Sequence, residues 1–177
     1  YADQTRAFVE IQQGCDHRCT FCIIPFARGP SRSVPAARLV EQVQALVARG
    51  YQEIVLTGVH LGHYGIDLSR GKPKEKWTRL GHLVRRLGEM PGNFRIRLSS
   101  LEAAEARDDL VRAIGGSSRV VPHLHLCLQS GSDRILARMK RRYTSRGFLD
   151  RCERLRRSLD QPAFTTDVIV GFPGEAE

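Results

Sequence analysis

Apolar and polar positions along the 177-residue chain alternate between short strand-like runs and stretches of helical period. Residues 8–13 predict a first strand, ended by Gly14. Ser33-Val34-Pro35 signals a helix start, with proline tolerated in the first turn. Leu39, Val40, Val43, Leu46 and Val47 then recur at helical spacing until Gly50 supplies the stop. A second strand falls at residues 53–57, around Ile54-Val55-Leu56. Leu80, Leu83, Val84 and Leu87 mark a second helix closed by Pro91-Gly92, and residues 94–99 alternate apolar side chains with arginines as a third strand. Leu110, Val111 and Ile114 predict a short helix ending at Gly115-Gly116. Residues 123–129 read as a fourth strand and Phe148, Leu149, Cys152 and Leu155 as the face of a fourth helix. Residues 164–170 read as a fifth strand running into Gly171-Phe172-Pro173-Gly174.

Strands alternating with helices predict an α/β domain made of βαβ units with a parallel sheet. Right-handed crossovers would curl such a sheet into a partial barrel or a doubly wound layer. Either form places a ligand at the carboxyl ends of the strands. No helix follows to cover the fifth strand, so the chain is expected to be a piece of a longer protein with its last unit missing. Residues 69–77, rich in charge and turn formers, predict an exposed excursion.

Composition narrows the picture. Hydrophobic content of 41% and charged content of 27% fit one globular domain long enough to bury a core. No leader-like segment or membrane-length apolar run is present, which predicts a cytoplasmic protein with no membrane partner. The chain carries 28 Lys+Arg against 19 Asp+Glu, a net charge of +9. That balance favours a polyanionic partner, nucleic acid first, with a merely basic surface as the alternative. The basic residues between Arg138 and Arg157, opposed by Asp150 and Glu153, could track phosphates or form a solvated face. Tyr64 and Trp77 are candidates for stacking on a splayed base.

Five cysteines make an odd set, and Cys15, Cys19 and Cys22 crowd one loop after the first strand. A disulfide framework does not suit that arrangement; metal binding or catalysis does. Complete iron–sulfur ligation uses four cysteines, so three thiolates describe a site with one position open. Structural zinc is the alternative, but such sites are usually closed by paired elements, and His17 is poorly placed to complete that shell. Cys152 reads as a core residue, since free cysteine packs as a small hydrophobe. On a strand, His123, His125, Cys127 and Gln129 would share one face. A His-His-Cys metal site is one reading of that row, with His123 otherwise a satisfied edge residue.

The spacing CxxxCxxC, with Phe21 before the last cysteine, resembles the signature of the radical S-adenosylmethionine enzymes. Five further stretches are similar to one branch of them, the methylthiotransferases: CIIPFARGPSRS (22–33), RIRLSSLE (95–102), LQSGS (128–132), MKRRYT (139–144) and DVIVGFPGE (167–175). The stretch LTGVHLGHYGIDL (56–68) is most similar to members that methylthiolate threonylcarbamoyladenosine in tRNA. Relatives acting on isopentenyladenosine or on a ribosomal protein remain open.

The resemblance implies a partial parallel (βα) barrel in which Cys15, Cys19 and Cys22 bind a 4Fe–4S cluster and S-adenosylmethionine chelates its open iron. It implies cofactor contacts from Phe21, Thr57, Gly58, Ser100, Glu102, Gln129, Arg141 and Asp167. Among these, Arg141 would meet the methionine carboxylate, Glu102 the ribose or amino group, and Thr57 and Gly58 would bring backbone near the amino group. Asp167, read as mid-strand in an apolar run, needs a partner, with ribose hydroxyls preferred to a buried salt bridge. Residues 1–177 would then be the radical core alone, lacking an N-terminal domain with a second 4Fe–4S cluster, a C-terminal RNA-binding domain and a sixth strand. The implied partners are tRNA and an electron donor such as a flavodoxin or ferredoxin.

Overall fold

A computed structural model describes residues 5–175. In chain order the elements are β1 (Arg6–Gln13), α1 (Ile24–Arg28), β2 (Arg32–Ser33), α2 (Ala36–Ala48), β3 (Glu53–Gly58), α3 (Leu80–Gly88), β4 (Arg95–Leu98), β5 (Ser100–Leu101), α4 (Asp108–Gly115), β6 (His123–Leu126), α5 (Asp133–Arg138), α6 (Ser145–Ser158) and β7 (Ala163–Thr165). Parallel pairing runs β1–β3–β4 and then β5–β6–β7, and β2 caps the outer edge of β1 antiparallel.

The curl arises where β4 passes into β5. Leu98 pairs with Leu56 of β3, and Ser99 still donates to the Leu56 carbonyl (3.0 Å). One residue later Ser100 pairs with His125 of β6. On the other edge of β4, Ile96 exchanges hydrogen bonds with Arg119 and Val121, so the sheet bends without losing its backbone partners. Of the two forms that the alternation of elements left open, the partial parallel barrel, which the resemblance implied, is present.

Strand alternation decides what covers the sheet. Val9 and Ile11, Ile54 and Leu56, Ile96 and Leu98, and Leu124 and Leu126 enter one buried cluster with Leu39 and Val43 of α2, Leu83, Val84 and Leu87 of α3, and Leu110 and Ile114 of α4. Each such side chain stabilises the fold by about 1.5–3 kcal/mol when taken from water. The opposite face carries Phe8, Glu10, Arg95 and Ser100, all exposed, with half-buried His123 and His125. At the amino end of the sheet, buried Glu53 binds Arg6 (2.6 Å), Arg97 (3.1 Å) and Arg95.

Several sequence expectations need correction. The fourth strand ends at Leu126, not at residue 129, because Gln129 takes φ +67°, outside the strand region. Pairing resumes only as a bridge from Gln129 to Val168. The fifth strand is three residues long, so Asp167 is not mid-strand; its side chain is 74% exposed and lies 3.3 Å from His125 Nε2. The desolvation argument for a ribose partner therefore does not hold. Tyr64 is fully buried with its hydroxyl on the Val34 carbonyl (2.9 Å), which removes it as a stacking platform.

The excursion at residues 69–77 is pinned at its start: buried Ser69 donates to Gly65 O (2.7 Å) and accepts from Thr78 N (2.9 Å). Helices α1 and α5 and strands β2 and β5 had no sequence signal, each being six residues or fewer. Helix α5 ends with Lys140 at φ +56° and Arg141 N on Leu136 O (2.9 Å), a left-handed cap made without the glycine that usually announces one. Among the described residues no helix is long and apolar enough to cross a membrane.

Candidate cluster and cofactor site

The cysteine loop leaves the carboxyl end of β1 at Gly14, whose φ of +71° and position against the Pro30 carbonyl exclude a side chain. Cys15 N donates to Gly29 O (3.0 Å), and Ser31 N to Asp16 Oδ1 (3.2 Å), closing the loop on its own return. Thr20 fixes the far side, its amide on Met139 O (3.2 Å) and its hydroxyl on Arg138 O (2.9 Å) at the end of α5. Cys15, Cys19 and Cys22 are all half-buried free thiols.

A buried amide organises this turn. A register shift in the β1–β3 pairing between Glu10 and Gln12 places Gln12 inward beside Ile11, and its side chain is fully buried. Gln12 Nε2 lies 2.7 Å from Gly14 O, 2.8 Å from Gln13 O and 2.8 Å from Ser31 Oγ, while Oε1 accepts from His60 N (2.7 Å). One side chain thus ties the start of the cysteine loop to its return and to the end of β3. Sequence reasoning passed over Gln12, because a glutamine in an alternating strand reads as solvent-facing.

On the α5 side, Arg141 reaches into the loop with only 6% of its side chain exposed. Nη1 donates to Cys19 Sγ (3.4 Å), Nε to Tyr143 Oη (3.1 Å), and Nη2 lies 2.8 Å from Glu102 Oε1. The Tyr143 hydroxyl in turn donates to the carbonyls of Cys127 (2.7 Å) and Leu128 (2.8 Å). Burial alone would push the Glu102 carboxyl up, but His17 and the Arg141 guanidinium pull it down to about 2. Arg141 is not part of the basic stripe. Within that stripe Arg146 pairs with Asp150, Arg157 with Glu153, and Arg154 with Asp108.

On the β3 side, His60 Nδ1 lies 3.5 Å from Cys15 Sγ and Nε2 lies 2.5 Å from Glu105 Oε1. Burial lowers the His60 pKa, yet the contacts with Cys15 and Glu105 outweigh it and raise the ring to about 10. His63 stacks on His60 (3.8 Å, 20°) and His17 meets it edge-on (4.4 Å, 67°). Neither Glu105 nor this histidine group was anticipated; the only sequence hint was two histidines three apart just after a predicted strand.

The other anticipated residues gather at the same end of the sheet to differing extents. Thr57 and Gly58 end β3 as expected, and a Cβ on Gly58 would sit 2.9 Å from Gln12 O. Phe21 is 39% exposed on the loop and Ser100 is exposed on β5. Gln129 and Asp167 are joined by backbone, Gln129 N to Asp167 O (3.0 Å). His123 Nε2 and His125 Nδ1 both face Thr165 Oγ1 (3.1 and 3.0 Å), which is a hydroxyl clasp and not a metal centre with Cys127. His123 is only half satisfied, since its buried Nδ1 has no partner.

The residues present fit an iron–sulfur centre with a chelating ligand. Among the described residues, the ligand-atom triads within 4.8 Å are His17/His60/His63 and His60/Glu102/Glu105, so the three sulfurs spread more widely than that. One tetrahedral zinc with bonds of about 2.3 Å needs sulfurs about 3.8 Å apart, so this spread suits a larger cluster. Arg141 Nη2 faces the Glu102 carboxylate at 2.8 Å without a hydrogen bond of proper geometry, so the buried guanidinium keeps donor capacity for a further anionic group.

Comparison with known proteins agrees with this construction. The chain is 46% identical over 177 residues to "Threonylcarbamoyladenosine tRNA methylthiotransferase MtaB" of Bacillus subtilis (strain 168), covering 100% of this chain and 38% of that protein. It is 41% identical over 171 residues to "tRNA-2-methylthio-N(6)-dimethylallyladenosine synthase" of Nocardioides sp., covering 97% of this chain and 33% of that protein. The chain therefore spans about two-fifths or less of the curated relatives it matches. Among solved structures, the cobalamin-dependent S-adenosylmethionine radical enzyme OxsB superposes with a TM-score of 0.69 at 14% identity, over 92% of this chain and 23% of that one. The radical S-adenosylmethionine methyltransferase TsrM of Kitasatospora setae gives 0.64 at 18%, over 91% and 30%. These two likenesses establish the fold. With the Radical SAM superfamily matching residues 9–177, nearly the whole length, the chain belongs to that superfamily.

Proposed function

We propose that this chain is the radical core of a tRNA methylthiotransferase that adds a methylthio group at C2 of N6-threonylcarbamoyladenosine beside the anticodon. The observation that supports this most is the likeness, over 97–100% of this chain, to MtaB proteins of several bacteria at 40–46% identity, on a chain whose three-thiol loop is set against Arg141 and Glu102. Cys15, Cys19 and Cys22 would hold a 4Fe–4S cluster, with S-adenosylmethionine on its open iron. Together these groups supply one-electron cleavage of the cofactor and hydrogen abstraction from the substrate.

The chain's own residues bind and orient. Glu102 holds the Arg141 guanidinium at Nη2 and Tyr143 holds it at Nε, and its remaining N–H donors would meet the methionine carboxylate as charge-assisted donors. Thr57 and Gly58 offer backbone at the end of β3 to the methionine amino group. Phe21, Ser100, Gln129 and Asp167 border the nucleoside from the loop and the strand ends. Glu102 Oε1 faces both Arg141 and His17, so this oxygen positions Arg141, and Oε2 is the one that would meet the ribose or amino group.

In the full-length protein an N-terminal domain with a second 4Fe–4S cluster would supply sulfur, and a C-terminal domain would bind tRNA, the partner that suits the +9 charge. Electrons would come from a flavodoxin or ferredoxin in the cytoplasm. The test is expression of the full-length protein in a strain lacking the endogenous activity, with nucleoside mass spectrometry of bulk tRNA. Methylthio-threonylcarbamoyladenosine should appear. Methylthio-dimethylallyladenosine in its place would transfer the reading to the other relatives, and iron-replete protein that releases no 5′-deoxyadenosine would remove the radical reading.

A further inference from the structure

His60 is fixed from three directions and both of its ring nitrogens are engaged. Its backbone amide is held by Gln12, its Nε2 faces Glu105 at 2.5 Å, and its Nδ1 faces Cys15 Sγ at 3.5 Å. The ring is 6% exposed and packs with the rings of His17 and His63, which also meet each other at 5.0 Å. Glu105 can reach it only because Gly62 has no side chain; a Cβ there would overlap the Glu105 carboxylate. The second oxygen, Glu105 Oε2, is buried with no hydrogen-bond partner. A half-satisfied buried carboxylate is costly, and its compensation comes through Oε1, from His60 Nε2 at 2.5 Å and more distantly from His63 Nε2 at 3.4 Å.

Cys15 as a thiolate ligand and Glu105 as a carboxylate are both acceptors, so the ring between them satisfies both only by donating from both nitrogens. Among the described residues, Cys15 Sγ then receives two donors, His60 Nδ1 and His17 N (3.4 Å), and Cys19 Sγ receives one from Arg141. A carboxylate that orients a histidine toward a metal centre fixes both its tautomer and its angle.

We propose that Glu105 and His60 form a relay that delivers an N–H donor to the Cys15 sulfur and raises the reduction potential of the cluster bound there. His60 is thus a positioning residue, acting on the cluster through Cys15. One electron from an external reductant adds one negative charge, spread over iron, sulfide and thiolate; no proton crosses the His60–Cys15 contact. The donor favours the more negative, reduced form, because hydrogen bonds to cluster sulfurs shift potential in that direction. The inference rests on the cluster reading given above.

The experiment uses the full-length protein, reconstituted anaerobically with iron and sulfide, and measures the midpoint potential by EPR-monitored titration with dithionite. His60→Phe should keep the parental iron and sulfide content and move the midpoint to a more negative value. His60→Gln, whose amide can still donate, should return it toward the parent. Independently of any variant, the reduced parent protein made with ring-¹⁵N histidine should show nitrogen hyperfine coupling to the cluster, lost in His60→Phe. A parental midpoint in His60→Phe, or no ring-nitrogen coupling in the parent, overturns the relay. Should His60→Phe fail to assemble a cluster, the coupling in the parent decides alone. Failure of the parent itself to form a 4Fe–4S cluster would instead count against the functional reading.

Discussion

Replacing Gln12 by leucine tests whether one buried amide carries the geometry of the cysteine loop. Leucine is one atom shorter than glutamine but of similar volume, so the cavity term is small. What is lost is the hydrogen bonding: the donors to Gly14 O and Ser31 Oγ, and the acceptor for His60 N. Ser31 and His60 are buried, so at least two polar groups are stranded without water. Each stranded group costs about 1–3 kcal/mol, and the added apolar burial recovers about 1–2, so the middle of these ranges gives a net loss of about 2–3 kcal/mol. That corresponds to a roughly 30–150-fold shift of the folding equilibrium toward the unfolded chain. Urea unfolding followed by the fluorescence of Trp77, the one tryptophan present, measures it directly. Iron bound per chain after anaerobic reconstitution should fall as well, since the anchor of Gly14 beside Cys15 is gone. A midpoint and an iron content equal to the parent's would refute the assignment of Gln12 as the organiser.

Other outcomes follow from the same geometry. Glu53→Ala leaves Arg6, Arg95 and Arg97 facing one another without their shared carboxylate and should cost about 1–3 kcal/mol in urea denaturation, the scale for hydrogen bonds to a charged group, because the arginines left behind still reach water. Glu102 has a folded pKa depressed from 4.5 to about 2, so its contribution is complete above about pH 4.5 and lost as pH falls toward 2. The loss amounts to about 3 kcal/mol, and Glu102→Gln should flatten that acid limb in urea midpoints taken from pH 5 to pH 2. Tyr143→Phe removes the hydroxyl that links Arg141 to the Cys127 and Leu128 carbonyls, and should cost about 1–2 kcal/mol of stability and weaken S-adenosylmethionine binding by calorimetry.

Local sequence by itself determined the main helices, the parallel order of the long strands and the position of the thiol loop. Leu39 to Val47 and Leu80 to Leu87 repeat at helical spacing, and the short apolar run Ile54-Val55-Leu56, led by two β-branched residues and following the stop at Gly50, suits a buried strand. These are interactions between near neighbours, and near neighbours are visible in a string. The three cysteines were equally plain because their ligand spacing is itself local.

Only the tertiary structure decided what surrounds them. The register shift that turns Gln12 inward depends on β3 lying alongside β1, so alternation within β1 could not reveal it. Arg141 reads as one cation among many until the left-handed Lys140 turns it onto Glu102 and Cys19, more than a hundred positions away from the latter. Glu105 comes to His60 through the clearance at Gly62, a fit between two loops. Asp167 looked buried from its apolar neighbours but is exposed, because β7 ends before reaching it. In each case the deciding partner is distant in sequence, and its contribution exists only once the curled sheet brings the strand ends together.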